Sequence, residues 1–202
     1  MSKSPFKTPN IVTEVNYGSI VYGTNDEHSD TDIICIVNHI QTLTDPVKLN
    51  NIDFKVINNK DFQVLLDEHD ISAIECYFLS QKHILRGSVQ DNFTFTVNLG
   101  KLRNAFSQKS SNSWVKCKKK LTVEEGEERI GMKSLFHSLR IMDFGIQLAS
   151  TGKIENFGSA NHYLKEIYEI GPNWELLNQK FKPIYNKLHS EFKKVAIKET
   201  NV

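Results

Sequence analysis

Two aspartates one residue apart, Asp30 and Asp32, lie a short interval downstream of a Gly18-Ser19 pair. The run reads Gly18-Ser19-Ile20-Val21-Tyr22-Gly23-Thr24-Asn25-Asp26-Glu27-His28-Ser29-Asp30-Thr31-Asp32. Side chains alternate with a period of two along a strand, so carboxylates at i and i+2 entering a strand project from one face. Paired in that way they can share divalent cations with phosphate oxygens, and Mg²⁺ is usually held by one or two carboxylates plus substrate phosphate. Gly18 lets the backbone approach a phosphate closely, while the Ser19 hydroxyl and nearby amides can donate to it. Ser-Asp-Thr-Asp is also an ordinary turn sequence. Here, however, it leads from one β-branched stretch, Ile11 to Val15, into another, Ile33 to Val37.

This run resembles the signature of the DNA polymerase β superfamily of nucleotidyltransferases, a Gly-Ser or Gly-Gly followed by a spaced Asp-x-Asp. The longer form, Gly-Ser-x-x-Tyr-Gly-Thr ending in Ser-Asp-x-Asp, is most similar to the small predicted nucleotidyltransferases associated with RNA ligases. A second piece of the resemblance is Lys133-Ser134-Leu135-Phe136-His137-Ser138-Leu139-Arg140, followed by Thr151-Gly152-Lys153-Ile154. The resemblance implies transfer of a nucleoside monophosphate from a triphosphate to an acceptor hydroxyl, with release of pyrophosphate. Asp30 and Asp32 would hold two Mg²⁺ ions, with Mn²⁺ as an alternative, and an RNA end such as a tRNA would be the acceptor. Two other functions stay open: a protein- or small-molecule-nucleotidylating enzyme of the antitoxin type, and a non-catalytic nucleotide- or RNA-binding module.

This chemistry usually employs a third carboxylate. Asp53, early in the next predicted strand, is the first candidate for catalysis and metal binding. Asp61, Asp67 and Glu75 are rivals. Glu75 is the odd one, because Ile74 and Cys76-Tyr77-Phe78 surround it with apolar neighbours, and a carboxylate there needs a partner or a raised pKa. Lys133, His137 and Arg140 are spaced i, i+4 and i+7 and line one helical face. As a cationic strip they could bind a triphosphate or acceptor phosphates, and the resemblance places such a face opposite the catalytic strand. The segment Trp114-Val115-Lys116-Cys117-Lys118-Lys119-Lys120 interleaves an aromatic with lysines, as suits single-stranded nucleic acid, although short lysine runs are also common on solvated faces.

The elements that must position these residues follow from periodicity. Strands are predicted over 11–17, 32–37 and 52–57, with a loop over 38–51 between the last two. Helices are predicted over 60–68, capped by Asn59, over 71–79, and over 99–120. A further helix covers 131–150 and ends at Thr151-Gly152, followed by helices over 163–169 and 174–194, the last interrupted near Pro183. Phe93 to Val97 alternates as a strand would, but reads as easily as the lead into a helix. The fold class is therefore α+β: a minimal polymerase-β-like nucleotidyltransferase domain of mixed sheet and helices over 1–90, and a helical part over 91–202 that closes the cleft.

The chain of 202 residues is 39% hydrophobic and 24% charged, with a net charge of +1, so any nucleic-acid footprint must be local. Its three cysteines, Cys35, Cys76 and Cys117, fit no disulfide or zinc spacing, and a reducing cytoplasm suits them. The segment Met1 to Lys7 lacks the apolar core of a signal peptide, and no run approaches the ~20 apolar residues of a membrane span. The oligomeric state is not legible.

Overall fold

The computed structural model describes residues 10–27 and 29–197; the expectation for Met1 to Lys7 lies outside them, as does His28. The chain forms two compact units, Met1–Thr96 and Val97–Val202. Among the described residues, no helix is long and apolar enough to cross a membrane.

The first unit is built on strands β1 (Ile11–Tyr17), β2 (Thr31–Val37), β3 (Val47–Leu49), β4 (Ile52–Asn58) and β5 (Ile84–Arg86). They form one mixed sheet in the order β3-β4-β2-β1-β5. β2 and β4 are parallel and the other pairs antiparallel. The apolar alternation decides the faces: Ile33, Cys35 and Val37 of β2 join Phe54 and Val56 of β4 and Ile11 of β1 in one buried cluster. Residues one step out of phase, Asp32 and Asp53 among them, therefore project from the opposite face.

Among the described residues, the α-helices of this unit are α1 (Ser19–Tyr22), α2 (Asn59–Asp67), α3 (Ile71–Tyr77) and α4 (Val89–Asn92). Asn58 caps α2 by accepting from the Lys60 amide, one residue before the expected cap. Asp70 caps α3 through the Ser72 and Ala73 amides. One expectation fails here: the loop predicted over 38–51 contains β3. Of the two readings of Phe93 to Val97, the strand is not the one formed. Phe93 instead packs edge-on to Phe62, while Phe95 meets His69, Tyr77 and Phe78. The alternation there reflects an extended segment crossing an aromatic cluster rather than a paired strand.

The second unit comprises α5 (Leu99–Thr122), α6 (Glu128–Thr151), α7 (Asn161–Ile170) and α8 (Trp174–Val195). Buried serines join α5 to α6: Ser110 Oγ donates to the Ser138 carbonyl at 2.8 Å, and Ser138 Oγ to the Ser110 carbonyl at 2.9 Å. Gly145 of α6 meets the Phe192 ring of α8 so closely that a Cβ would lie 2.8 Å from it. α6 ends at Gly152 in the left-handed conformation, as the sequence predicts. α8, by contrast, runs unbroken through Pro183, which lies on its exposed side.

Candidate active site

The Gly18-Ser19 turn closes β1 and opens α1. Gly18 has φ 68°, and a Cβ built there would collide with the Asp32 carboxylate oxygen Oδ2. Only glycine combines that backbone with so close an approach. Its carbonyl accepts from the Val21 amide at 3.0 Å, and the Ser19 carbonyl accepts from the Thr24 amide at 2.9 Å. The turn is thus wrapped tightly against the first residues of β2.

Two tyrosines that the sequence reading gave no role anchor the turn. Tyr17 Oη donates to Ser72 Oγ at 3.0 Å, and Tyr22 Oη donates to Glu75 Oε2 at 2.6 Å. Both acceptors belong to α3, so the phenols fix the turn from either side. Glu75 is fully buried, and Tyr22 is the partner that its apolar surroundings required. The signal was present: a carboxylate amid apolar residues, and two tyrosines flanking a glycine turn.

The carboxylates are set by strand register. Asp32 of β2 pairs directly with Asp53 of β4, and parallel partners project from the same face. Asp30 is exposed and lies in the loop just before β2. Between the two aspartates of the signature, the Thr31 amide donates to the Asn51 carbonyl at 3.2 Å, tying the start of β2 to the turn between β3 and β4. Asp53 accepts an ion pair from Lys48 Nζ at 3.2 Å.

Among the described residues, no three His, Cys, Asp or Glu side chains form a ready-made metal cluster. The donor set still fits Mg²⁺, which takes one or two carboxylates and completes its shell with water and substrate phosphate. Asp32 and Asp53 supply that number in register, Asp30 is near in sequence, and the missing Cβ of Gly18 leaves room for the Asp32 carboxylate.

In the helical unit, the predicted strip of Lys133, His137 and Arg140 lies on α6, but it is not a row of three exposed cations. Arg140 is buried, its guanidinium 5.1 Å from the Phe144 ring centre, and its Nη2 donates to His137 Nδ1 at 3.0 Å. That hydrogen bond places the proton of the neutral imidazole on Nε2. Burial, followed by the charges of Arg140, Lys133, Lys116 and Lys109, lowers the His137 pKa to about 3. His137 therefore carries no charge at neutral pH, which corrects the expectation of a cationic histidine.

This shift predicts acid sensitivity. The unfolded chain takes up a proton at His137 near pH 6.5, whereas the folded chain resists it down to about pH 3. Stability from this group is complete above pH 6.5 and declines below it, by about 1.4 kcal/mol per pH unit at most. Thermal melts between pH 4 and 8 should show this decline, with a shallower slope in His137→Gln. His189, lowered to about 4 by burial and then by Lys193 and Lys182, accounts for a residual slope. Identical slopes in wild type and His137→Gln would contradict an imidazole held neutral by the fold.

The lysine segment also differs from expectation. Trp114 is buried against Tyr185, with ring centres 4.4 Å apart, and lies edge-on to Trp174. It is a core residue of the helical unit and not a platform for bases. Lys119 and Lys120 both pair with Glu124, and Lys120 also pairs with Glu127. Hydrogen bonds from Lys119 and Lys120 hold the Glu124 carboxyl down to about 2. The acidic connector thereby occupies two of the lysines counted for nucleic acid.

No protein-family model matches the chain, and no curated protein matches it. Among solved structures, the chain is similar to spectinomycin adenyltransferase AAD(9) from Enterococcus faecialis, determined with ATP and spectinomycin. The two are 14% identical, the likeness covers 92% of this chain and 93% of that one, and the TM-score is 0.48.

Proposed function

We propose that the chain is a metal-dependent nucleotidyltransferase that moves a nucleoside monophosphate from a triphosphate to an acceptor hydroxyl. The observation that carries this reading is the direct pairing of Asp32 with Asp53 beneath a glycine that has no room for a Cβ. Asp30, Asp32 and Asp53 are the residues that would hold Mg²⁺. Bound there, the metal would supply charge neutralisation at the α-phosphate and the leaving pyrophosphate, and would make the acceptor hydroxyl more acidic. Gly18 and Ser19 would bind the β- and γ-phosphates through backbone amides and the serine hydroxyl. On α6, Lys133 and the Nε2–H of neutral His137 would offer donors to an anion, with buried Arg140 orienting the imidazole. In the reaction the acceptor oxygen bonds to the α-phosphorus, the bond from that phosphorus to the bridging oxygen of pyrophosphate breaks, and the hydroxyl proton passes to solvent.

The acceptor admits two readings. An RNA end is supported by the resemblance in the signature and by the positive field that Lys109, Lys116, Lys133 and Arg140 make around His137. A small-molecule or protein hydroxyl is supported by the burial of Trp114 and the pairing of Lys119 and Lys120, which take the aromatic and two of the lysines out of the predicted RNA footprint. We favour this second reading.

Incubation with labelled triphosphates, Mg²⁺ and a panel of RNAs and small hydroxylic compounds tests both. Metal-dependent label transfer to any acceptor supports the enzyme, and none across the panel counts against it. An RNA acceptor predicts binding that weakens with salt, with a slope of about −0.7 per phosphate neutralised. A small acceptor predicts label on that compound and background RNA binding at every salt concentration.

A further inference from the structure

We infer that Lys48 is a built-in counter-cation for the paired aspartates, holding Asp53 in the unliganded chain until a divalent ion displaces it. This rests on the reading of Asp32 and Asp53 as metal ligands. Lys48 of β3 is the register partner of Asp53, and Asp53 is the register partner of Asp32. One cation and two carboxylates therefore form a single row across three neighbouring strands, each step about 4.8 Å. Like charges directly opposite each other destabilise a sheet. Lys48 Nζ, 3.2 Å from Asp53 Oδ2, offsets that repulsion.

The row is held by a tight turn. β3 and β4 are joined by Asn50 and Asn51, with φ 48° and 60°, a two-residue connection with both central residues at positive φ that fixes hairpin register. The same turn accepts the Thr31 amide between Asp30 and Asp32. Lys48 is thus fixed at its backbone, while its side chain is 74% exposed and free to swing away. An arriving ion and the ammonium group compete for the same carboxylate oxygen, which lowers the affinity of the site for metal alone.

Mn²⁺ binding in the absence of nucleotide, followed by electron paramagnetic resonance, tests this. The full chain is compared with Lys48→Gln, Lys48→Arg, Asp32→Asn and Asp53→Asn. Lys48→Gln should bind Mn²⁺ roughly two- to fivefold more tightly, the scale of an exposed ion pair. Lys48→Arg should stay near wild type, and both aspartate variants should lose binding. Metal-free Lys48→Gln should melt below wild type, and Mn²⁺ should close the gap. Equal affinities in wild type and Lys48→Gln, with binding still lost in Asp32→Asn, would overturn the role of Lys48 and leave the metal ligands standing. Mn²⁺ binding unchanged in both aspartate variants would overturn the two together.

Discussion

Asp32→Asn is expected to abolish label transfer while leaving the melting temperature within a few degrees of wild type. Asparagine matches aspartate in volume, so the fit beneath Gly18 survives, but the charge that would hold the metal is lost. Asp32 abuts Gly18 on one side and is paired in register with Asp53 on the other. Metal ions supply several kcal/mol of charge stabilisation in reactions of this kind. At about 1.4 kcal/mol per tenfold, a loss of ~4 kcal/mol slows transfer about a thousandfold. Asp30→Asn should fall similarly. Turnover at the wild-type rate in Asp32→Asn, with the fold shown intact by circular dichroism, would sink the proposed mechanism.

What the sequence could convey about this site was limited by the range of the interactions that build it. Strand β4 was legible from its alternation, and β1 and β2 from short β-branched, apolar runs bounded by turn residues. The pairing of Asp32 with Asp53 was half legible: Asp53 could be placed early in the next strand, but register depends on contacts between distant segments. Lys48 was missed because β3 is three residues long, too short for a period, and because Asn50-Asn51 was not read as a hairpin turn. His137 and Arg140 show the reverse error. Their spacing put them on one helical face, but α6 is buried on several sides, so packing against neighbouring helices determines their charge and exposure. Trp114 followed the same logic, since an aromatic beside lysines packs inward as readily as it stacks on a base. Local signals located the signature, and tertiary contacts decided which charges remain available to a ligand.

Gly18→Ala should damage both the fold and the transfer activity, for two separable reasons. The backbone at φ 68° and ψ −141° is one that residues with a Cβ adopt at a cost of about 1–3 kcal/mol. The added methyl also meets the Asp32 carboxylate, so either the turn or the aspartate must move. Transfer activity should disappear with the displaced aspartate, and urea unfolding should register a loss of about 2–4 kcal/mol. Asp32→Ala separates the two causes, because it removes the carboxylate and leaves the backbone constraint. In that background Gly18→Ala should cost only the conformational part, giving a coupling of about 1 kcal/mol or more between the two positions. If Gly18→Ala costs the same in both backgrounds, the glycine serves its own turn and not the aspartate. An extra cost that disappears with the carboxylate would instead make Gly18 part of the site: a residue defined by the side chain it leaves room for, with Tyr17 and Tyr22 holding it there from either side.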